Sequence, residues 1–209
     1  MTSLFPPWSN ATARAGLALA SAGLVGAPLS AMVWVRSPYA TGARDPRTQP
    51  VHFDHRHHAS DDGIDCLYCH DGATRSRYAG VPATSVCVGC HAQVWSESPL
   101  LEPVWRSARS GQPLRWARVH ALPDHVFFDH AAHTRRGVGC VTCHGRVDQM
   151  PAVYAVASLS MDWCLDCHRA PDAKLRPLDR VTDMRWTPAP HAAPPLRVNP
   201  PVHCSGCHR

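Results

Sequence analysis

The chain is poor in charge, has few aromatic residues and leaves no cysteine unaccounted for. Charged residues make up 18% of its 209 positions, below the roughly 25% of ordinary soluble domains. That balance argues against a disordered acidic tail, a coiled coil or a collagen. Aromatic residues reach only 7%, and no basic run is interleaved with them, so a nucleic-acid surface has no support. What the chain has instead is 20 prolines, 15 histidines and 10 cysteines, a balance foreign to an ordinary cytosolic enzyme.

The ten cysteines form five copies of Cys-x-x-Cys-His: Cys66/Cys69/His70, Cys87/Cys90/His91, Cys140/Cys143/His144, Cys164/Cys167/His168 and Cys204/Cys207/His208. This spacing is the attachment signature of c-type haem. Each thiol adds to one vinyl group of the porphyrin, and the histidine that follows lies under the ring as proximal iron ligand. Structural zinc uses such cysteines in pairs of pairs; five is odd, and zinc gives no reason for a histidine after every second cysteine. A disulfide framework does not repeat one spacing, and a redox dithiol needs one motif. The expected cofactor is five covalently bound haem c groups. Their propionates add up to about ten negative charges, which turns the formal +5 into roughly −5. About 34 residues remain per haem beyond the first 36, too few for a conventional core, so the porphyrins must supply much of the buried apolar surface. The expected fold is a multihaem cytochrome c, mainly coil with short α-helices wrapped round five haems, behind one N-terminal transmembrane helix.

Residues 15–35 carry no charge. As a helix they span about 31 Å, the thickness of a bilayer core, with Trp8 and Trp34 near the two ends. An uncleaved anchor over residues 1–36 is favoured over a cleaved leader, whose apolar core is shorter. Arg36, Arg44 and Arg47 after the span would place that side in the cytoplasm. Covalent haem attachment outside the cytoplasmic membrane outweighs this, so the expectation is a single-pass protein of the cytoplasmic membrane with its haem domain on the periplasmic face. Residues 37–50 read as a linker.

An internal repeat follows. Phe53-Asp54-His55-Arg56-His57-His58 leads through Gly63-Ile64 to Cys66, and Phe128-Asp129-His130-Ala131-Ala132-His133 leads through Gly137-Val138 to Cys140. The first cysteines are offset by 74 residues and the second motifs by 77. Residues 51–119 thus form a first dihaem module, 120–168 a second, and 169–209 a proline-rich tail with the fifth haem. Residues 187–203 should be extended coil. Residues 100–110 read as a short amphipathic helix ending at Gly111, packed on haem or on protein.

A second strong axial ligand closes a haem iron to substrate and leaves electron exchange; an open face permits catalysis. The His-x-x-His pairs, His55 with His58 and His130 with His133, place two imidazoles on one helical turn, within reach of two neighbouring irons. His57 breaks the repeat and reads as exposed. For the fifth distal position His120 leads, against His125, His191, His203, Met150, Met161 and Met184.

The chain resembles the membrane-anchored pentahaem cytochrome c subunit of alternative complex III, a bacterial quinol-oxidising complex. The resemblance rests on Phe5-Pro6-Pro7-Trp8 ahead of the span, Gly63-Ile64-Asp65-Cys66-Leu67-Tyr68-Cys69-His70, Ser98-Pro99-Leu100-Leu101-Glu102-Pro103-Val104, Trp116-Ala117-Arg118-Val119-His120, Gly137-Val138-Gly139-Cys140 and Leu159-Ser160-Met161-Asp162-Trp163-Cys164 with the residues that follow. It implies distal ligation by His55, His58, His120, His130 and His133. It also implies a polytopic quinol-binding subunit, an iron–sulfur subunit, a monohaem cytochrome c, and a soluble cytochrome or terminal oxidase as acceptor. The expected role is an electron-transfer subunit with no bond chemistry of its own. The rivals are a stand-alone membrane-anchored quinol dehydrogenase and a multihaem reductase with an open iron.

Overall fold

The computed structural model describes residues 5–189 and 194–208. His191 and part of the proline-rich tail lie outside the described residues. The chain separates into two compact units, up to Gly42 and from Ala43.

The first unit is one long helix, α1 (Ser9–Arg36), and a single turn, Pro38–Thr41. The helix is 28 residues long and begins six residues before the uncharged run, because Ser9 to Arg14 hold nothing that breaks a helix. It stops at Ser37, whose ψ of 153° is extended; the Pro38 ring disfavours helical geometry in the residue before it. No residue of α1 is buried. Leu19, Leu24 and Val33 all point outward, and the helix is long and apolar enough to cross a membrane.

The second unit has no strand among the described residues, only two isolated bridges, Val126 with His208 and Val138 with Leu175. The rest is coil and short helices: α2 (Thr84–His91), α3 (Glu102–Ser110), α4 (His130–Thr134), α5 (Cys140–His144) and α6 (Met161–Arg169). Residues 187–189 and 194–203 are coil, as their prolines dictate.

The α3 helix is the amphipathic segment expected over residues 100–110. It ends at Gly111, where φ is +69°, and packs on protein. Val104, 2% exposed, joins Leu101 and Val51 in a small apolar cluster that touches Cys87 and Val88 of α2 and the indoles of Trp105 and Trp116. The Ser107 hydroxyl donates to the Gln112 carbonyl at 2.6 Å and therefore accepts from Thr84 Oγ1 at 2.7 Å, tying α3 to the start of α2.

Other buried apolar residues are scattered, so polar anchors matter. Asp148, 5% exposed, takes both nitrogens of the Arg146 fork, at 2.8 and 2.6 Å. Those hydrogen bonds hold its carboxyl below the usual aspartate value. A depressed folded pKa contributes stability above the unfolded value, about 3.9, and loses it as pH falls below. Asp148→Asn should cost about 2 kcal/mol at neutral pH and remove this part of the acid loss. Thermal melts at neutral and acid pH check both.

Candidate metal centres

Both Phe-Asp-His-x-x-His segments fold the same way, and the phenylalanine explains the pattern. The Phe53 ring lies near-parallel to His58, centroids 4.3 Å apart, and edge-on to His55 at 4.7 Å. Phe128 does the same to His133 at 4.8 Å and His130 at 4.7 Å. One aromatic wedge thus fixes two imidazoles. The aspartate contributes twice. Its carboxylate accepts from the turn's backbone, Arg56 N–H at 2.8 Å or Ala132 N–H at 3.0 Å. Its carbonyl, on Asp54 or Asp129, accepts from Nδ1–H of the second histidine at 3.0 or 2.7 Å.

The first copy has one more residue between its second histidine and the glycine. The extra residue is absorbed in a π-helical turn, Arg56–Asp61, the usual accommodation of a single insertion in a helix. Both repeat glycines then adopt left-handed geometry, Gly63 at φ +67° and Gly137 at φ +81°, which only glycine takes without cost. At Gly137 a Cβ would also strike the Arg176 carbonyl.

The attachment motifs are short helical turns, and their histidines are oriented from behind. Nδ1 of His70 bonds the Gly80 carbonyl at 2.8 Å, that of His91 the Val94 carbonyl at 3.0 Å, and that of His168 the Pro201 carbonyl at 2.7 Å. On the distal side His130 bonds the Arg77 carbonyl at 2.9 Å. A carbonyl only accepts, so Nδ1 carries the proton and Nε2 keeps its lone pair for a metal.

The ring distances test whether iron fits between them. An imidazole nitrogen sits about 2 Å from a first-row metal ion, and the ring centre lies about 1 Å further back. Two imidazoles on opposite faces therefore have centroids about 6 Å apart. His58 and His91 stand at 6.1 Å, His133 and His168 at 6.1 Å, His130 and His144 at 6.3 Å with planes 5° apart, and His125 and His208 at 5.7 Å. His55 feels His70 nearby: burial first, then the fields of His70 and His58, push its pKa down to about 4. His144 is lowered to about 3, by burial and then by His120, His130 and His70. His120 lies edge-on to His144 at 4.4 Å, too close for an ion between them. One ring nitrogen each of His55 and His120 is buried with no hydrogen-bond partner among the described residues. His57 is exposed and pairs with Asp61 at 3.0 Å. His203 bonds the Ser205 hydroxyl at 3.2 Å. Met161 is exposed, Met184 half-buried and Met150 buried.

The residues fit haem better than zinc. Among the described residues no three His, Cys, Asp or Glu side chains converge as a zinc site needs; instead imidazoles oppose each other in twos, beside paired cysteines. The cysteine pairs are themselves close. Cys66 and Cys140 lie beside each other, which brings the two repeats together. Cys143 is pushed up to about 11, by burial and then by the neighbouring Cys167 and Cys164 thiols. Cys69 is raised by burial and then by Cys87, Cys66 and Cys90, and Cys164 by burial and then by Cys207 and Cys167. The motifs therefore follow one another in space as second, first, third, fourth, fifth. The adjacency across repeats and the role of the phenylalanine are not visible in spacing alone; the invariance of Phe in both repeat copies was the one signal for the latter.

Residues 126–209, with three of the five motifs, match the family of cytochrome c7 and related cytochrome c. The chain is also 36% identical, over 99 residues, to the menaquinone reductase, multihaem cytochrome c subunit, of Nitratidesulfovibrio vulgaris. That alignment takes 47% of this chain and 46% of the relative, so the chain spans about half the length of the relative it matches. The carboxy-terminal region is thus similar to multihaem c-type cytochromes, which carry haem bonded to cysteine.

Proposed function

We propose that the chain is the electron-transfer subunit of a membrane quinol-oxidising respiratory complex. Its ten motif cysteines hold five haem c groups, with His70, His91, His144, His168 and His208 as proximal ligands and His55, His58, His130 and His133 as the candidates opposite four of them; His120, the sequence candidate for the remaining position, lies against His144 instead. Haem supplies a one-electron couple at each site. The protein orients His58, His70, His91, His130, His133 and His168 through backbone carbonyls, covers both faces of the iron, and strings the attachment sites within reach of one another. The observation that carries the reading is the opposition of imidazoles at about 6 Å, because an iron closed on both sides passes electrons and binds no substrate.

Single-pass anchoring by α1, the haem domain at the extracytoplasmic face and the alternative complex III setting complete the proposal. So do the partners: a polytopic quinol-binding subunit, an iron–sulfur subunit, and a monohaem cytochrome or terminal oxidase. The relative's name favours a second reading, a subunit that delivers electrons to menaquinone rather than taking them from quinol. The direction is set by the potentials at the two ends of the relay.

The test is haem content followed by reduction. The pyridine haemochrome assay should return five haems per chain. The intact complex should reduce them rapidly with a menaquinol analogue, while the isolated chain should not. Fewer than five haems, or a colourless protein with zinc on its thiols, would defeat the proposal. Rapid reduction of the isolated chain would instead make it a self-sufficient quinol dehydrogenase.

A further inference from the structure

Three of the motif histidines, His91, His144 and His168, have an imidazole of a His-x-x-His turn about 6 Å away, and His70 has His55 of such a turn in its neighbourhood; His208 has none. His120, the first candidate from sequence, lies against His144 at 4.4 Å, within the second repeat. We infer that His125 is the distal ligand of the haem attached at Cys204 and Cys207, opposite His208. This rests on the haem reading above and adds to it a ligand that lies one residue outside the matched cytochrome region.

The two rings are brought together by backbone, not by chance proximity of mobile side chains. Val126, next to His125, forms an antiparallel bridge with His208. Phe127 N–H donates to the Cys207 carbonyl at 2.7 Å, and His208 N–H donates to the Cys204 carbonyl at 2.8 Å. Val126 N–H donates to the Pro123 carbonyl at 2.9 Å, closing the turn that presents His125. The Leu-Pro-Asp-His turn is thus tied directly to the last attachment motif. The rings stand at 5.7 Å with planes 23° apart, close to the 6.1 Å of the His58/His91 and His133/His168 pairs. Among the rivals, His203 is engaged by Ser205.

The same contacts explain how a tail outside both repeats keeps its haem in line. His168 leans on the Pro201 carbonyl, three residues before Cys204, while His125 reaches the same site from the entrance of the second repeat. The fifth site is therefore assembled from two segments about 80 residues apart in sequence, and His125 contributes a strong ligand to it.

The experiment uses the full haem-loaded chain. Pyridine haemochrome counts haem, and electron paramagnetic resonance reports spin state. His125→Ala should keep five haems, convert one of them to high spin, and return it to low spin on addition of imidazole. His125→Met should keep that haem low-spin with a raised potential, which answers the objection that the alanine variant is merely misassembled. In a chain lacking the last attachment site (Cys204→Ala with Cys207→Ala), His125→Ala should change nothing further. A wholly low-spin His125→Ala spectrum overturns the assignment, as does a high-spin haem that persists in that four-haem background. A parent chain with fewer than five haems would instead overturn the haem reading beneath it.

Discussion

His133→Met is expected to raise the potential of a single haem, on the order of 0.1 V, and to leave the other four unmoved. His133 stands 6.1 Å from His168, is half-buried, and has its Nδ1–H committed to the Asp129 carbonyl; its Nε2 has one direction to face. A thioether donates less electron density than an imidazole and disfavours the oxidised iron, hence the upward sign. His58→Met should do the same at the neighbouring repeat, where the distance to His91 is equal. His57→Ala, one residue away but exposed and held by Asp61, should leave every potential unchanged. Phe128→Ala should move two components together, because that ring braces His130 and His133 alike. Redox titration followed in the visible spectrum checks all four. A shift with His57→Ala as large as with His58→Met would break the assignment of distal ligands to the repeated turns.

How much of this was legible beforehand depends on whether the information is local. The Cys-x-x-Cys-His motifs were legible because one tripeptide spacing fits one macrocycle. The His-x-x-His turns were legible because three residues make nearly one helical turn. The apolar N-terminal helix and the coil with short helices followed from a charge-free run and from proline. The α1 helix is longer than that run, because helix propensity does not stop where hydrophobicity does. Opposition of His125 and His208 was not legible: nothing in either residue's neighbourhood announces a backbone bridge across 82 positions. The edge-on placement of His120 on His144 and the contact of Cys66 with Cys140 are likewise products of tertiary folding. Phe53 and Phe128 were visible as repeated letters, yet their work as wedges appears only once two imidazoles stand around each ring.

Removing the fourth attachment site, by Cys164→Ala with Cys167→Ala, is expected to cost more than one haem. Among the described residues the most buried apolar side chain is Val104, far from this region in sequence, and the protein around α6 offers little apolar cover of its own. A planar group burying on the order of 300 Å² of apolar surface is worth roughly 7 kcal/mol at about 25 cal/mol per Å², comparable with the whole stability of a small domain. The fourth site also touches its neighbours. The Pro201 carbonyl rests on His168, and Cys164 lies beside Cys207, so losing the fourth haem loosens the segment that presents the fifth. The pyridine haemochrome count should fall from five towards three, and trypsin should cut faster at Arg197, an exposed residue in the coil before Cys204. A stable chain with four haems and an unchanged digestion pattern would show that protein contacts alone hold the tail, and that the haems are cargo in this region rather than its core.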